Sequence, residues 1–196
     1  SVVASPRIER RRAQRQQHIL QVAARAFAAH GLDGARLEDI ADQADVARGT
    51  LYAHFATKDA LLSAVVKSAV DEAAVGVAGI QKQGSPREAV RALVRLQLRL
   101  WRGHPDAMRV GHQLGSRPTG EVAGTHDAFM QGILKVFSRA DRAGILRPGD
   151  PALAARLLAR LSVPLLDTLA DHPDADRIYL DTMEGMLLRR ARPPRA

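Results

Sequence analysis

Apolar residues recur along this chain at three- and four-residue spacing almost throughout, and no stretch alternates apolar and polar positions for long enough to read as a strand. The pattern predicts an all-α fold of about nine helices. The first is expected from about Glu9 or Ala13 to His30, with Ile19, Val22, Ala23, Ala26 and Phe27 on one face and Gly31 as its stop. Two short helices follow. Leu37, Ile40, Ala41 and Ala44 form the buried stripe of one at about 37–44, and Val46, Leu51 and Phe55 anchor the next at about 47–53, with a turn at Asp45 between them. Thr57 caps a fourth helix whose inner face carries Leu62, Val65, Val66, Ala69, Val70, Ala73 and Val77.

The rest of the chain is punctuated by caps. Ser85-Pro86-Arg87-Glu88 reads as a capping box with Pro at the first helical position, opening a helix that ends near Gly103. His104-Pro105 starts a short helix to about Leu114, and residues 115–120 form a loop. A long helix is expected from about Glu121 to Ala143, closed by Gly144. Asp150-Pro151 opens another, to about Asp171, that Pro164 should kink. Asp174 caps the last, to about Arg190, before a frayed tail containing Pro193-Pro194-Arg195. No internal repeat or low-complexity block is present.

Composition narrows the class. The 196 residues are 46% hydrophobic and 26% charged, which excludes wholesale disorder. Cysteine is absent, so disulfides, thiolate zinc sites and a cysteine nucleophile are excluded together. No apolar run approaches the roughly 18–20 residues of a membrane span, and residues 1–17 hold no signal-peptide apolar stretch. The expectation is a cytoplasmic protein with no membrane partner.

The net charge is +8, and basic residues are mainly Arg. Arg offers a fork-shaped donor to phosphate. The density is highest at the start, where Arg7, Arg10, Arg11, Arg12 and Arg15 face only Glu9. Charge alone makes nucleic acid a hint.

Residues 36–58 carry the informative constellation. Two helices of two turns each, joined by a tight turn, cannot form a core of their own. Packed on the preceding helix, the second presents its outer face, which is the helix-turn-helix arrangement. With Val46, Leu51 and Phe55 turned inward, Ala47, Arg48, Thr50, Tyr52 and His54 are left outward or half-outward. They supply one apolar contact and four hydrogen-bonding side chains, suited to base edges and phosphates in a major groove. Gly49 allows close approach of backbone to DNA. Lys58 opposes the macrodipole in the first turn of the fourth helix, and a phosphate would explain it. An ordinary solvated helical hairpin has the same spacing.

The order Ile19-Leu20, Ala26-Phe27, His30-Gly31, Glu38-Asp39-Ile40-Ala41, Gly49-Thr50-Leu51-Tyr52, His54-Phe55 and Lys58-Asp59-Ala60-Leu61-Leu62 resembles the DNA-binding region of the TetR (tetracycline-repressor-like) family of transcriptional regulators. The resemblance covers residues 16–66. It implies a basic arm and helix-turn-helix domain over 1–58, and a ligand-binding and dimerisation domain over 59–196. It implies that Arg48 contacts a base or phosphate, that Thr50 reaches a phosphate or base, that Tyr52, His54 and Lys58 hold phosphates, and that Ala47 touches a thymine methyl. Two positions depart from the family pattern. Ala35-Arg36 stands where Ser or Thr usually caps the second helix; Arg36 cannot cap but can hold the same phosphate. Asp45 stands where the turn usually has Gly, and Asp tolerates the left-handed conformation. The Arg-rich arm suits a minor groove or flanking phosphates, or stays solvated.

For the remainder, the resemblance implies a small-molecule pocket and a homodimer made by the last two helices, and hence a near-palindromic operator and repression relieved by an effector. Leu157, Leu158, Leu161 and Leu165, with Tyr179, Met183, Met186 and Leu187, give two apolar faces that can serve core and partner. Trp101, His104, Met108, His112, His126, Phe129, Met130, Ile133 and Phe137 cluster in the fifth to seventh helices. Large apolar walls with a few polar groups describe a hydrophobic or amphipathic effector site, and equally a core with satisfied histidines. Arg87, Arg91, Arg95, Arg99 and Arg102 form one stripe, read as a solvated face rather than an anion site. No metal or cofactor site is expected, since His104 and His112 are eight residues apart. An all-α enzyme finds no support in a phosphate loop, HExxH, GxSxG or acid–base pair. A basic amphipathic protein that binds membranes is the third class.

Overall fold

A computed structural model describes residues 6–81, 84–115 and 122–190 of the chain. The described residues form α1 (Pro6–Gly34), α2 (Leu37–Gln43), α3 (Arg48–His54), α4 (Lys58–Gln81), α5 (Pro86–Gly103), α6 (Pro105–Leu114), α7 (Ala123–Arg142), α8 (Pro151–Thr168) and α9 (Ala175–Leu187). Among them no strand is present beyond one antiparallel bridge, Leu146 with Leu188. Residues 116–120 of the expected loop, Glu121 at the expected start of the long helix, and the tail with Pro193-Pro194-Arg195 lie outside the described residues.

The chain divides into two compact units, residues 1–68 with 109–123, and residues 69–108 with 124–196. The compactness boundary falls ten residues beyond the functional division read at residue 58, because the inner face of α4 continues the first unit's core through Leu61, Leu62, Val65 and Val66.

In the first unit α1 packs on α2 and α2 on α3. Ile19, Ala23 and Phe27 of α1, Ile40 and Ala41 of α2, and Leu51 and Phe55 around α3 are buried, whereas Val46 is only half-buried. The turn between α2 and α3 holds Asp45 at φ 52, the left-handed conformation expected of it. Gly31 leaves helical geometry at φ 76, ψ 169, so the regular part of α1 ends where glycine was read as a stop, and one further turn follows. At the other end α1 begins at Pro6, earlier than the sequence pattern indicated. Nothing buries residues 7–18, so hydrophobic periodicity could not mark them. They extend an already packed helix, and propagation costs far less than nucleation.

In the second unit α5, α8 and α9 pack on one another. Leu93, Leu100, Phe137, Leu158, Tyr179, Met183 and Leu187 lie in the core. The caps hold with two amendments. Thr57 Oγ1 accepts from Ala60 N at 3.1 Å in the first unit, Ser85 Oγ from Glu88 N at 3.3 Å, and Asp150 Oδ1 from Ala152 N at 2.8 Å and Leu153 N at 3.2 Å. Glu88 does not complete the capping box. Its carboxylate instead accepts from Arg91 Nη1 at 2.8 Å and Arg95 Nη2 at 3.4 Å. Asp174 occupies the N-cap of α9 without a capping hydrogen bond, its Oδ2 lying 3.2 Å from Arg177 Nη2. Pro164 sits inside α8, which ends at Thr168, short of the expected Asp171. α9 stops at Leu187 rather than Arg190 because Leu188 turns extended, φ −113, ψ 135, to pair with Leu146.

Two close approaches were not visible in the sequence. A Cβ on Gly76 would meet Leu96 Cδ1 at 2.7 Å, and one on Gly132 would collide with Val77 Cγ1 and meet Gln81 Nε2 at 2.6 Å. Within the second unit α4 is therefore flush against α5 and α7.

Candidate functional site

Seven residues hold α3 in place and present it. Leu51 and Phe55 are buried, and their spacing fixes which face of the helix points out. On that outer face Ala47 and Arg48 are exposed, Tyr52 is 45% exposed, and Thr50 and His54 are half-buried. Gly49 has nothing within 4 Å of where a Cβ would stand, so packing within the chain does not explain it. Ala47 at the N-cap offers no side-chain hydrogen bond, which leaves the first amides of α3 available to an outside acceptor.

Flanking residues add charge. Arg36, at the N-cap of α2, makes no capping hydrogen bond; its side chain is 73% exposed and reaches Glu38 Oε2 only at 4.0 Å. Lys58 has an internal partner that the sequence did not reveal. Its Nζ lies over the Phe27 ring, 5.9 Å from the centroid, an arrangement that offsets its unfavourable place in the first turn of α4. His54 packs its ring 6.1 Å from that of Phe55, holding the imidazole near the end of α3.

The residues read as an effector site divide. Trp101, Met108, Phe129 and Met130 pack half-buried against the second unit's core, and Ile133 lies within it. His126 packs 6.4 Å from Phe129, ring to ring. Its Nδ1 is buried with no hydrogen-bond partner. His104 is already engaged, with Nε2 3.0 Å from Glu72 Oε2, so it ties the start of α6 to α4. His112 belongs to the other compact unit. No group of three or more His, Asp or Glu among the described residues is arranged to hold a metal ion.

The apolar faces of α8 and α9 are partly spent on the chain itself. Leu158, Tyr179, Met183 and Leu187 are buried in the core, which is the core half of the double use expected of these faces. Leu161 is 40% exposed and Leu153 36%, with Leu157, Leu165 and Met186 half-buried. The arginines of α5 are spent likewise. Arg91 bridges Glu88 and Glu184, with Nε 2.9 Å from Glu184 Oε2, Arg102 pairs with Asp176, and Arg87 donates to the Arg189 carbonyl at 2.8 Å. The hydrogen bond from Arg91 holds the Glu88 carboxyl below its usual pKa, and the bonds to Glu88 and Glu184 raise that of Arg91. This stripe fastens α5 to α9.

Comparison with known proteins agrees with this geometry. Residues 19–65 match the model of the bacterial regulatory proteins of the tetR family. The chain is 29% identical to the HTH-type transcriptional regulator RutR of Escherichia coli K12 over 137 residues, 68% of this chain and 65% of RutR, just under two thirds of that relative's length. It is 39% identical to the HTH-type transcriptional repressor KstR2 of Mycolicibacterium smegmatis over 59 residues, 30% of this chain and 29% of KstR2. The crystal structure of AibR in complex with isovaleryl coenzyme A and operator DNA is similar in fold, with a TM-score of 0.69 at 26% identity, covering 88% of this chain and 97% of AibR. On its helix-turn-helix geometry, its motif and these likenesses, residues 19–65 form a DNA-binding region of the tetR family of bacterial regulatory proteins, on a chain similar in fold to AibR.

Proposed function

We propose that this protein is a homodimeric transcriptional regulator, without enzymatic activity, that binds a near-palindromic DNA operator and represses transcription until a small-molecule effector releases it. The observation that carries the reading is the outer face of α3, where Ala47, Arg48 and Tyr52 are exposed and Thr50 half-buried on a helix fixed from beneath by Leu51 and Phe55. Arg48 suits a guanine edge or a phosphate, and Ala47 a thymine methyl. Thr50, Tyr52, His54, Lys58 and Arg36 suit phosphates, which set register without specifying sequence. One short helix binds weakly. Two, related by the two-fold axis of a dimer built on the unspent faces of α8 and α9, double the contacts and require paired half-sites. The DNA-binding role falls to residues 1–58, the ligand and dimer roles to 59–196, and the setting is the cytoplasm.

The effector reading rests on Trp101, Met108, Phe129, Met130 and Ile133 as apolar wall, with His126 Nδ1, buried without a hydrogen bond and 3.9 Å from Asp127 Oδ1, as a polar handle. His104 is a secondary member. A hydrophobic or amphipathic compound fits this lining, and AibR was crystallised with an acyl-coenzyme A as well as with operator DNA.

The test is enrichment of bound fragments from genomic DNA by the full chain, followed by titration of the recovered duplexes. Tight binding to recovered duplexes and much weaker binding to scrambled ones supports the reading. Equal affinity for both at physiological salt overturns it.

A further inference from the structure

The polar side chains buried among the described residues are Ser63, Gln97 and Ser162, and none is charged. Ser162 is bonded to Tyr179, and Ser63 lies in the first unit. Gln97 of α5 stands apart. It is 8% exposed, and its amide forms no hydrogen bond among the described residues. An amide buried without partners is costly, and an apolar side chain of the same size would avoid that cost. Nor is the amide sealed in. His126 Nδ1 is shut off without a hydrogen bond, whereas both amide atoms of Gln97 keep contact with space that water can enter.

The contacts on either side fix where that amide points. Leu96, the preceding residue, lies against Gly76 of α4. Arg91 reaches out to Glu184 of α9. At about 100° per residue, Gln97 stands about 100° round α5 from Leu96 and about 120° the other way from Arg91, so it points between α4 and α9 into the second unit. Its level is fixed in the same way. Gly132 of α7 lies against Val77 and Gln81, and Arg139 donates to the carbonyls of Gln81 and Gly84, so α7 runs parallel to α4. α5 runs antiparallel to α4, with Leu96 at Gly76 and His104 at Glu72. Counting from these contacts at about 1.5 Å of rise per residue puts Gln97 level with the part of α7 between His126 and Phe129. Trp101 stands one turn further along the same face of α5.

We infer that Gln97 selects the effector, and that the effector presents to it an uncharged amide edge, a lactam or carboxamide whose N–H and C=O stand side by side. The Gln97 amide is donor and acceptor at once and pairs with such an edge through two parallel hydrogen bonds. Trp101 and Phe129 take the apolar body of the ligand. A carboxylate is disfavoured, since no Arg or Lys is buried among the described residues to neutralise it, and His104 is already engaged by Glu72. A site built to hydrogen-bond its ligand rejects analogues that cannot reciprocate, because its own polar group is then left unpaired. The inference rests on the effector reading and deepens it: the apolar wall supplies affinity, and Gln97 the choice of compound.

The experiment titrates the full chain, Gln97→Met and Gln97→Leu by calorimetry with three matched sets of compounds. The amide members are 2-quinolone, ε-caprolactam and benzamide. Their N-methylated forms lack the donor, and quinoline-2-carboxylate, cyclohexanecarboxylate and benzoate carry a charge in place of the amide. Wild type should bind amide members saturably, at least ~10-fold more tightly than their N-methylated or carboxylate counterparts, and both variants should lose that preference. Without ligand the variants should unfold at an equal or higher temperature than the wild type, because an unpaired amide has gone. A lower midpoint in both, equal binding across each set, preference retained in both variants, or no saturable binding at all overturns the inference. Affinity for an enriched duplex is read separately. Amide compounds that bind through Gln97 and leave duplex affinity unchanged overturn the effector reading while the site stands. A compound that releases duplex equally from all three chains overturns the role of Gln97 and leaves the effector reading in place.

Discussion

The Tyr179 hydroxyl donates to Ser162 Oγ at 2.9 Å in a fully buried bond that joins α9 to α8. Burial pushes the phenol pKa up to about 12 against the weaker, opposing effect of this hydrogen bond. Both groups satisfy each other, so removing one leaves the other desolvated and unpaired.

Tyr179→Phe should therefore destabilise the protein by about 1–3 kcal/mol, and Tyr179→Phe/Ser162→Ala should recover much of that loss. Denaturant unfolding at fixed protein concentration checks both. The folded-state pKa is raised, so the folded chain keeps this proton when the unfolded chain has lost it. The contribution of Tyr179 is complete below about pH 10 and falls away towards pH 12. The difference in stability between wild type and Tyr179→Phe should shrink across that window; a difference that is constant from pH 9 to 12 contradicts the burial.

Arg48→Ala should cost about 1–3 kcal/mol of binding to an enriched duplex and relax preference at one position of each half-site. Tyr52→Phe should weaken all duplexes alike. Titration against a panel of single-base variants separates the two, and a uniform loss for Arg48→Ala would place it on phosphate instead.

Much of this was legible beforehand. Ser85, Asp150 and Thr57 announce helix starts because a cap is a local bond between near neighbours. Gly31 and Asp45 announce turns because only a few residue types take a positive φ readily. The outward set on α3 follows from where Leu51 and Phe55 point. Choices among distant partners were not legible. Glu88 had a local option at the N-cap and took Arg91 and Arg95 instead, Lys58 found the Phe27 ring, and the Tyr179 hydroxyl found Ser162 seventeen residues away. The helicity of residues 6–18 was hidden for a different reason: it is inherited from the packed remainder of α1 and leaves no apolar trace.

Leu161→Glu should abolish self-association while leaving the helix content intact, because Leu161 is 40% exposed on the single chain. Sedimentation at micromolar concentration should give about twice 21.2 kDa for the wild type and a monomer with weak operator binding for the variant. A dimeric Leu161→Glu variant would move the partner face elsewhere.

Trp101 is the only tryptophan, so its emission reports directly on its surroundings. An effector that lowers operator affinity should change that emission saturably, and operator DNA should shift the titration to higher concentration by the same coupling, about 1–3 kcal/mol. His126→Phe should weaken an effector that uses Nδ1. Independent binding of effector and operator would reduce the cluster to core.

Two glycines of the second unit should respond to the same substitution with opposite signs. Gly132→Ala drives a methyl into Val77 and Gln81 and should destabilise by about 1–3 kcal/mol. Gly79→Ala meets nothing within 4 Å on an exposed helix surface and should stabilise by about 0.4–1 kcal/mol. Thermal unfolding of the two variants checks the contrast.

The bridge between Leu146 and Leu188 has a bearing on how this chain can diverge. Arg147 N donates to Leu187 O at 2.8 Å and Arg189 N to Ile145 O at 2.9 Å, so the end of α9 is held by main-chain atoms. Main-chain bonds do not depend on which side chains stand at those positions. The axial position of α9 is thus stored in the backbone, and its exposed residues can be exchanged one at a time without the helix sliding against α8. A pairing face built on that helix can drift in identity while its frame stays where it was.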